Sequence, residues 1–188
     1  MAAVVPMPAG SLPRGAPIGE GRLMTGLPFS AELGMRLHGA ADGVALLSVG
    51  YDQRLVGDPA TGVMHGGVIT ALLDTACGSC VMARRQAGGA PPGGDTRAQP
   101  RPLPRVLSTA TLDLRIDYMR PARPGIRILA RAECYRQTRA IAFVRAVAYH
   151  DIAPGADESD ADTADLVASA SGAFILERAP SGDGQDAS

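Results

Sequence analysis

"MHGGVITALLDTACGSCVMA", Met64 to Ala83, is the stretch whose reading decides the fold. From Gly66 to Ala83 apolar residues follow one another with no polar face of the kind a surface helix shows, so the pattern predicts a helix buried on every side. Val68, Ile69, Leu72, Leu73, Cys77, Val81 and Met82 all need cover. One carboxylate, Asp74, stands among them. A buried carboxylate without a partner is costly enough to call for a reason.

The cover comes from strands. In "TLDLRIDYM", Thr111 to Met119, Leu112, Leu114, Ile116 and Tyr118 alternate with Asp113, Arg115 and Asp117, which predicts one buried and one wet face. "RPARPG" then turns the chain. Further strands are expected at Ile126–Arg136 and Ile141–Asp151 across "QTRA", and at Leu166–Leu176. Before the helix, Met35–Gly39 and Val44–Asp52 read as strands around "AADG", preceded by a short helix capped by Ser30 with Glu32 in its first turn. "QRLVGDPATGVM" is a turn-rich loop. One helix cannot separate parallel neighbours repeatedly, so the sheet should be antiparallel and curved around the helix, an α+β architecture.

At 188 residues the chain suits a single domain. Residues 1–28, with five prolines and five glycines, read as a flexible arm; 29–177 form the domain; 178–188 are a flexible tail. The segment 87–105, "AGGAPPGGDTRAQPRPLPR", is an irregular insertion. The acidic run within "APGADESDADTAD" reads as a solvated loop.

The net charge of −1 provides no field for nucleic acid or an anionic membrane. The start lacks a secretory pattern, and the apolar segment with its aspartate barely reaches spanning length. Cys77, Cys80 and Cys134 make no disulfide framework, which suits a reducing cytoplasm. The CxxC at Cys77–Cys80 lies mid-helix and reads as packing. His38 and His150 read as structural. Neither a metal nor a cofactor is expected.

The glycines at the helix start bear on Asp74. Gly66 and Gly67 leave the first N–H groups uncovered, where the macrodipole favours negative charge and a polarised carbonyl could be held. Asp74 could attack a carbonyl carbon or deprotonate a water. Yet Asp74 lies eight residues beyond Gly66, about 12 Å along the axis. If the two cooperate, a second subunit supplies one of them. The bland alternative is a carboxylate satisfied by a neighbouring hydroxyl such as Thr70, or facing a wet gap.

"HGGVITALLDTACG", followed by "TLDLRIDYMRPARPG", resembles the signature of hotdog-fold acyl-CoA thioesterases of the PaaI type, related to 4-hydroxybenzoyl-CoA thioesterases. The resemblance runs from about Phe29 to Glu177. It implies a hotdog fold, hydrolysis of an acyl-CoA, and a homodimer with sites at its interface, often paired into a tetramer. By position it implies that Asp74 is the catalytic carboxylate and that Gly66 polarises the thioester carbonyl. His65 then orients the loop or contacts substrate, and Thr111 helps to place the attacking water, although strand parity puts Thr111 on the polar face. Gly67, Asp58, Arg120 and Arg123 are candidates for substrate binding, the arginines through CoA phosphates. Relatives often carry an asparagine before the histidine; here Asp58 is nearest, and an ionised carboxylate only accepts hydrogen bonds. A hotdog dehydratase or hydratase, or a non-catalytic acyl-CoA-binding module, is the alternative. The motif histidine opens the helix, which fits hydrolysis better than dehydration, and the glycine–carboxylate pair favours catalysis over binding alone.

Overall fold

The computed structural model describes residues 27–86, 106–151 and 166–178. The insertion, the acidic run, the tail beyond Arg178 and all but the end of the arm lie outside the described residues.

Helix α1 (Pro28–Glu32) starts on a proline in its first turn, and Leu27 occupies the cap position without a side-chain bond. Ser30, expected as the cap, lies inside the helix and is buried. Glu32 closes the helix and pairs with Arg54 at 3.0 Å. Strands β1 (Arg36–Ala41) and β2 (Val44–Val49) follow as a hairpin. Its turn residues, Asp42 and Gly43, have φ of 50° and 82°, the positive pair that lets a two-residue turn match the strands' twist. The expected loop contains a 3-10 turn (Gln53–Leu55) and a small hairpin, β3 (Val56–Asp58) with β4 (Val63–Met64).

Helix α2 (Gly66–Gln86) comes next, then β5 (Val106–Tyr118), β6 (Ile128–Gln137), β7 (Ile141–His150) and β8 (Leu166–Arg178). Six strands form one antiparallel sheet in the order β1-β2-β6-β7-β8-β5. Its inner face is rich in alanine: Ala45, Ala130, Ala132, Ala142, Ala146, Ala148 and Ala168 are buried beneath α2. Such small side chains let the helix lie close to the backbone, and Leu72, Leu73 and Val81 are fully enclosed. By length and composition α2 could cross a membrane, but most of it is buried by the sheet.

Two expectations need correction. The helix is not covered on every side: Gly67 is exposed, and Thr70, Ala71, Asp74 and Met82 are half-buried along one stripe. Nor does β5 alternate simply. Leu114 and Ile116 are half-buried, but Leu112 and Tyr118 are 54% and 53% exposed. Strand β5 ends the sheet, so one of its edges has no strand partner among the described residues. Its pairing with β8 also shifts between Thr111 and Asp113, where one extra residue forms a bulge. The bulge turns Thr111, expected on the polar face, toward α2.

A small inner face leaves no room for a larger side chain. Replacing Ala146 (1% exposed) by leucine should destabilise the fold by about 1–3 kcal/mol. A denaturant midpoint equal to that of the wild type would show that α2 is not held this close.

Candidate active site

The loop before α2 is fixed by backbone bonds. The His65 N–H donates to the Leu55 carbonyl at 2.8 Å, and the His65 carbonyl accepts from Val68 N–H at 2.9 Å. The His65 side chain turns back onto the helix, its Nδ1 accepting from Gly67 N–H at 2.9 Å. An accepting Nδ1 requires the neutral ring with its proton on Nε2. His65 thereby satisfies one of the unpaired donors of the first turn. Gly67 N–H is thus occupied. Among the described residues, Gly66 N–H has no such acceptor, and it is the donor left at the positive end of the helix.

Tyr118 holds the other end of the Gly66–Gly67 peptide. Its hydroxyl donates to the Gly66 carbonyl at 2.8 Å. Thr70 Oγ1 lies 2.7 Å from the same hydroxyl and, with the phenolic hydrogen engaged, is the donor to it. The chain Thr70–Tyr118–Gly66 therefore ties the last residue of β5 to the start of α2. Gly66 fits this contact because a Cβ there would stand 3.3 Å from the Tyr118 oxygen. Sequence reasoning missed Tyr118 because it reads as one more member of an apolar face. Its register opposite Ala168, at the end of a strand facing the helix start, is visible only once the sheet is assembled.

Asp74 is half-buried on the open stripe of α2, and Thr111 Oγ1 donates to its Oδ1 at 2.8 Å. Thr70, the alternative hydroxyl partner within the helix, is engaged with Tyr118. Asp74 and Thr111 thus form one pair, and Gly66, His65 and Tyr118 form another cluster about 12 Å along the helix axis. The structure does not bring the two together within a single chain.

Beside Gly66 lies a cleft of about 430 Å³, lined by Val63, Met64, Ile69, Tyr118, Met119 and Val167, with Arg120 also on its wall. Arg123 donates its backbone N–H to Nε2 of the buried His150 at 2.9 Å, tying the turn after β5 to the end of β7. Burial first, then the charges of Arg123 and Arg120, hold the His150 pKa below its ordinary value. His38 bonds Ser48 across the first hairpin at 2.8 Å. Asp58 is engaged in its own turn, accepting from Ala60 N–H at 3.0 Å and from the Thr61 hydroxyl at 2.7 Å, and these bonds hold its pKa down. All three cysteines are free and buried, and desolvation pushes the Cys77 and Cys80 thiols up, which keeps them protonated. No group of three metal-binding side chains occurs among the described residues.

The sequence profile of the thioesterase superfamily matches residues 61–152. The chain is 33% identical over 120 residues to the medium/long-chain acyl-CoA thioesterase YigI of Escherichia coli strain K12, a match covering 63% of this chain and 73% of that one. A solved Pseudomonas aeruginosa structure is 34% identical and aligns over 82% of this chain and 93% of its own, with a TM-score of 0.57. A variant of the phenylacetic acid degradation protein PaaI from Thermus thermophilus has a similar fold. Its TM-score is 0.56 and its identity 24%, over 79% of this chain and 98% of that one.

The Tyr118 contact can be tested on its own. Tyr118→Phe removes one donor while keeping the ring, and should lower stability by about 1 kcal/mol. It should also speed hydrogen exchange at the Gly67 amide. If both quantities stay at wild-type values, the phenol does not hold the helix start.

Proposed function

The chain belongs to the thioesterase superfamily as a PaaI-like thioester hydrolase of hotdog fold, and we propose that it cleaves acyl-CoA to a free acid and CoA with Asp74 as general base. The observation that carries this reading is the hydrogen bond from Thr111 to Asp74, on the open stripe of a helix whose other described residues are mostly buried. Thr111 occupies Oδ1 and leaves Oδ2 for a water. The threonine oxygen keeps lone pairs to accept that water's other hydrogen. As the water attacks the thioester carbon, its proton passes to Asp74. The carbon–sulfur bond then breaks and the CoA sulfur leaves, taking up a proton.

The negative charge that develops on the carbonyl oxygen needs a donor. Gly66 N–H, at the positive end of α2, is suited to supply it. The distance along the helix supports a donor from a second copy of the chain, so that in our reading each site is shared between two subunits. The edge of β5 that has no strand partner among the described residues, with the half-buried stripe of α2, supports a symmetric dimer in which each covers its counterpart and the sheet continues across the pair. Two such dimers form a tetramer in our reading. The apolar cleft beside Gly66 takes the substrate, with Arg120 on its wall and Arg123 three residues further along the same turn assigned to CoA phosphates. Likeness to YigI favours a medium or long acyl chain. We assign His65 and Gly67 to shaping the donor loop, and Asp58 to its turn rather than to substrate. Three unpaired thiols suit the cytoplasm.

Hydrolysis across CoA thioesters of varied chain length, read by released thiol, tests the reading. Asp74→Asn should fold, bind substrate and lose about 10²- to 10⁴-fold in kcat. A wild-type rate in that variant would refute the assignment. A single turnover in heavy-oxygen water should label the product acid; label in Asp74 instead would show that it attacks as a nucleophile.

A further inference from the structure

From Ala168 to Leu176 the inward positions of β8 alternate. Ala168, Ala170, Phe174 and Leu176 are buried, and Gly172 falls in the same series. Their partners on β5 change parity. Tyr118, Ile116 and Leu114 lie opposite Ala168, Ala170 and Gly172, whereas Thr111 and Thr109 lie opposite Phe174 and Leu176. One extra residue between the pairs Thr111–Phe174 and Asp113–Ala173 makes the difference. In a regular ladder of this same sequence, Leu112 would stand opposite Phe174 and Thr111 would point to the far face of the sheet. With the extra residue, the hydroxyl reaches Asp74 at 2.8 Å.

A bulge displaces backbone groups from the regular ladder, and the partner strand must make room. Here the room is at Gly172. A Cβ on that residue would stand 2.4 Å from the Asp113 carbonyl oxygen and 3.0 Å from Leu114 Cδ1. The first contact is with backbone, which cannot swing aside as a side-chain tip can. A glycine inside a strand marks such a close approach. We propose that Gly172 is a positioning residue for hydrolysis: by accommodating the bulge in β5, it directs the Thr111 hydroxyl to Asp74. It touches no substrate, and the proposal rests on the roles given above to Asp74 and Thr111.

The test is steady-state hydrolysis of a long-chain acyl-CoA by the full chain carrying Thr111→Ala, Gly172→Ala or both. Thr111→Ala should lower kcat by about tenfold to a hundredfold, the worth of a hydrogen bond to a charged group. Gly172→Ala should lower kcat by a similar factor with KM little changed. The double variant should be no slower than Thr111→Ala alone, because both changes remove the same contact. A wild-type rate for Thr111→Ala overturns the role of that hydroxyl and this proposal with it. A wild-type rate for Gly172→Ala, or losses that multiply in the double variant, overturns this proposal alone. A second variant covers the case in which the added Cβ blocks folding. Deleting Leu112 removes the extra residue while leaving Thr111 opposite Phe174, so Gly172→Ala with that deletion should fold by circular dichroism and regain near wild-type kcat. If it stays unfolded, or folds and is as slow as Thr111→Ala, Gly172 does not act through the bulge.

Discussion

The 21-residue helix α2 carries too much apolar surface to lie on a sheet with one face in water. A curved sheet whose inner face is mostly alanine solves this, because small side chains let the helix sit deep in the concavity. A single six-stranded sheet still cannot close around a cylinder. Among the described residues, one stripe of α2, with Asp74 on it, therefore remains partly uncovered beside the outer edge of β5. The carboxylate tolerates its place because it lies on this seam and receives a hydroxyl from the strand that borders it.

The same helix presents different chemistry at its two places of interest. At its start, His65 takes the Gly67 N–H and Tyr118 takes the Gly66 carbonyl, fixing one peptide unit and leaving Gly66 N–H at the positive end of the dipole. Two turns further on stands the Asp74 carboxyl, which Thr111 orients. A donor for an oxyanion and a base for a water are the two halves of thioester hydrolysis. Rigid helical geometry keeps them apart within one chain. In our reading the division is what makes dimerisation part of the chemistry.

Much of this was legible in the sequence. The unbroken apolar run with a single aspartate announced a wrapped helix, and two glycines after a histidine marked its start. The succession along the chain of the six strands of the main sheet followed from alternation and turn residues, whereas their order within the sheet did not. What escaped was set by pairing rather than by local pattern. The parity of "TLDLRIDYM" predicts Leu112 inside and Thr111 outside; the extra residue in β5 reverses this, and it shows only against the register of β8. Tyr118 belonged to the expected apolar face, yet its hydroxyl meets Gly66, 52 residues away. Ser30 had the chemistry of a cap, but Pro28 began the helix earlier and left the serine buried within it.

Subunit complementation tests the shared site most directly. Gly66→Pro removes the proposed oxyanion donor at a first-turn position whose backbone accepts proline, its Cβ coming within 3.3 Å of the Tyr118 oxygen, and Asp74→Asn removes the base. Each variant alone should be inactive. Mixed and allowed to exchange, half of the dimers should pair unlike chains, and each such dimer holds one intact site and one doubly damaged site. About a quarter of wild-type activity should return. If mass measurement confirms exchange and the mixture remains as inactive as either variant alone, the two halves of the site do not come from different subunits.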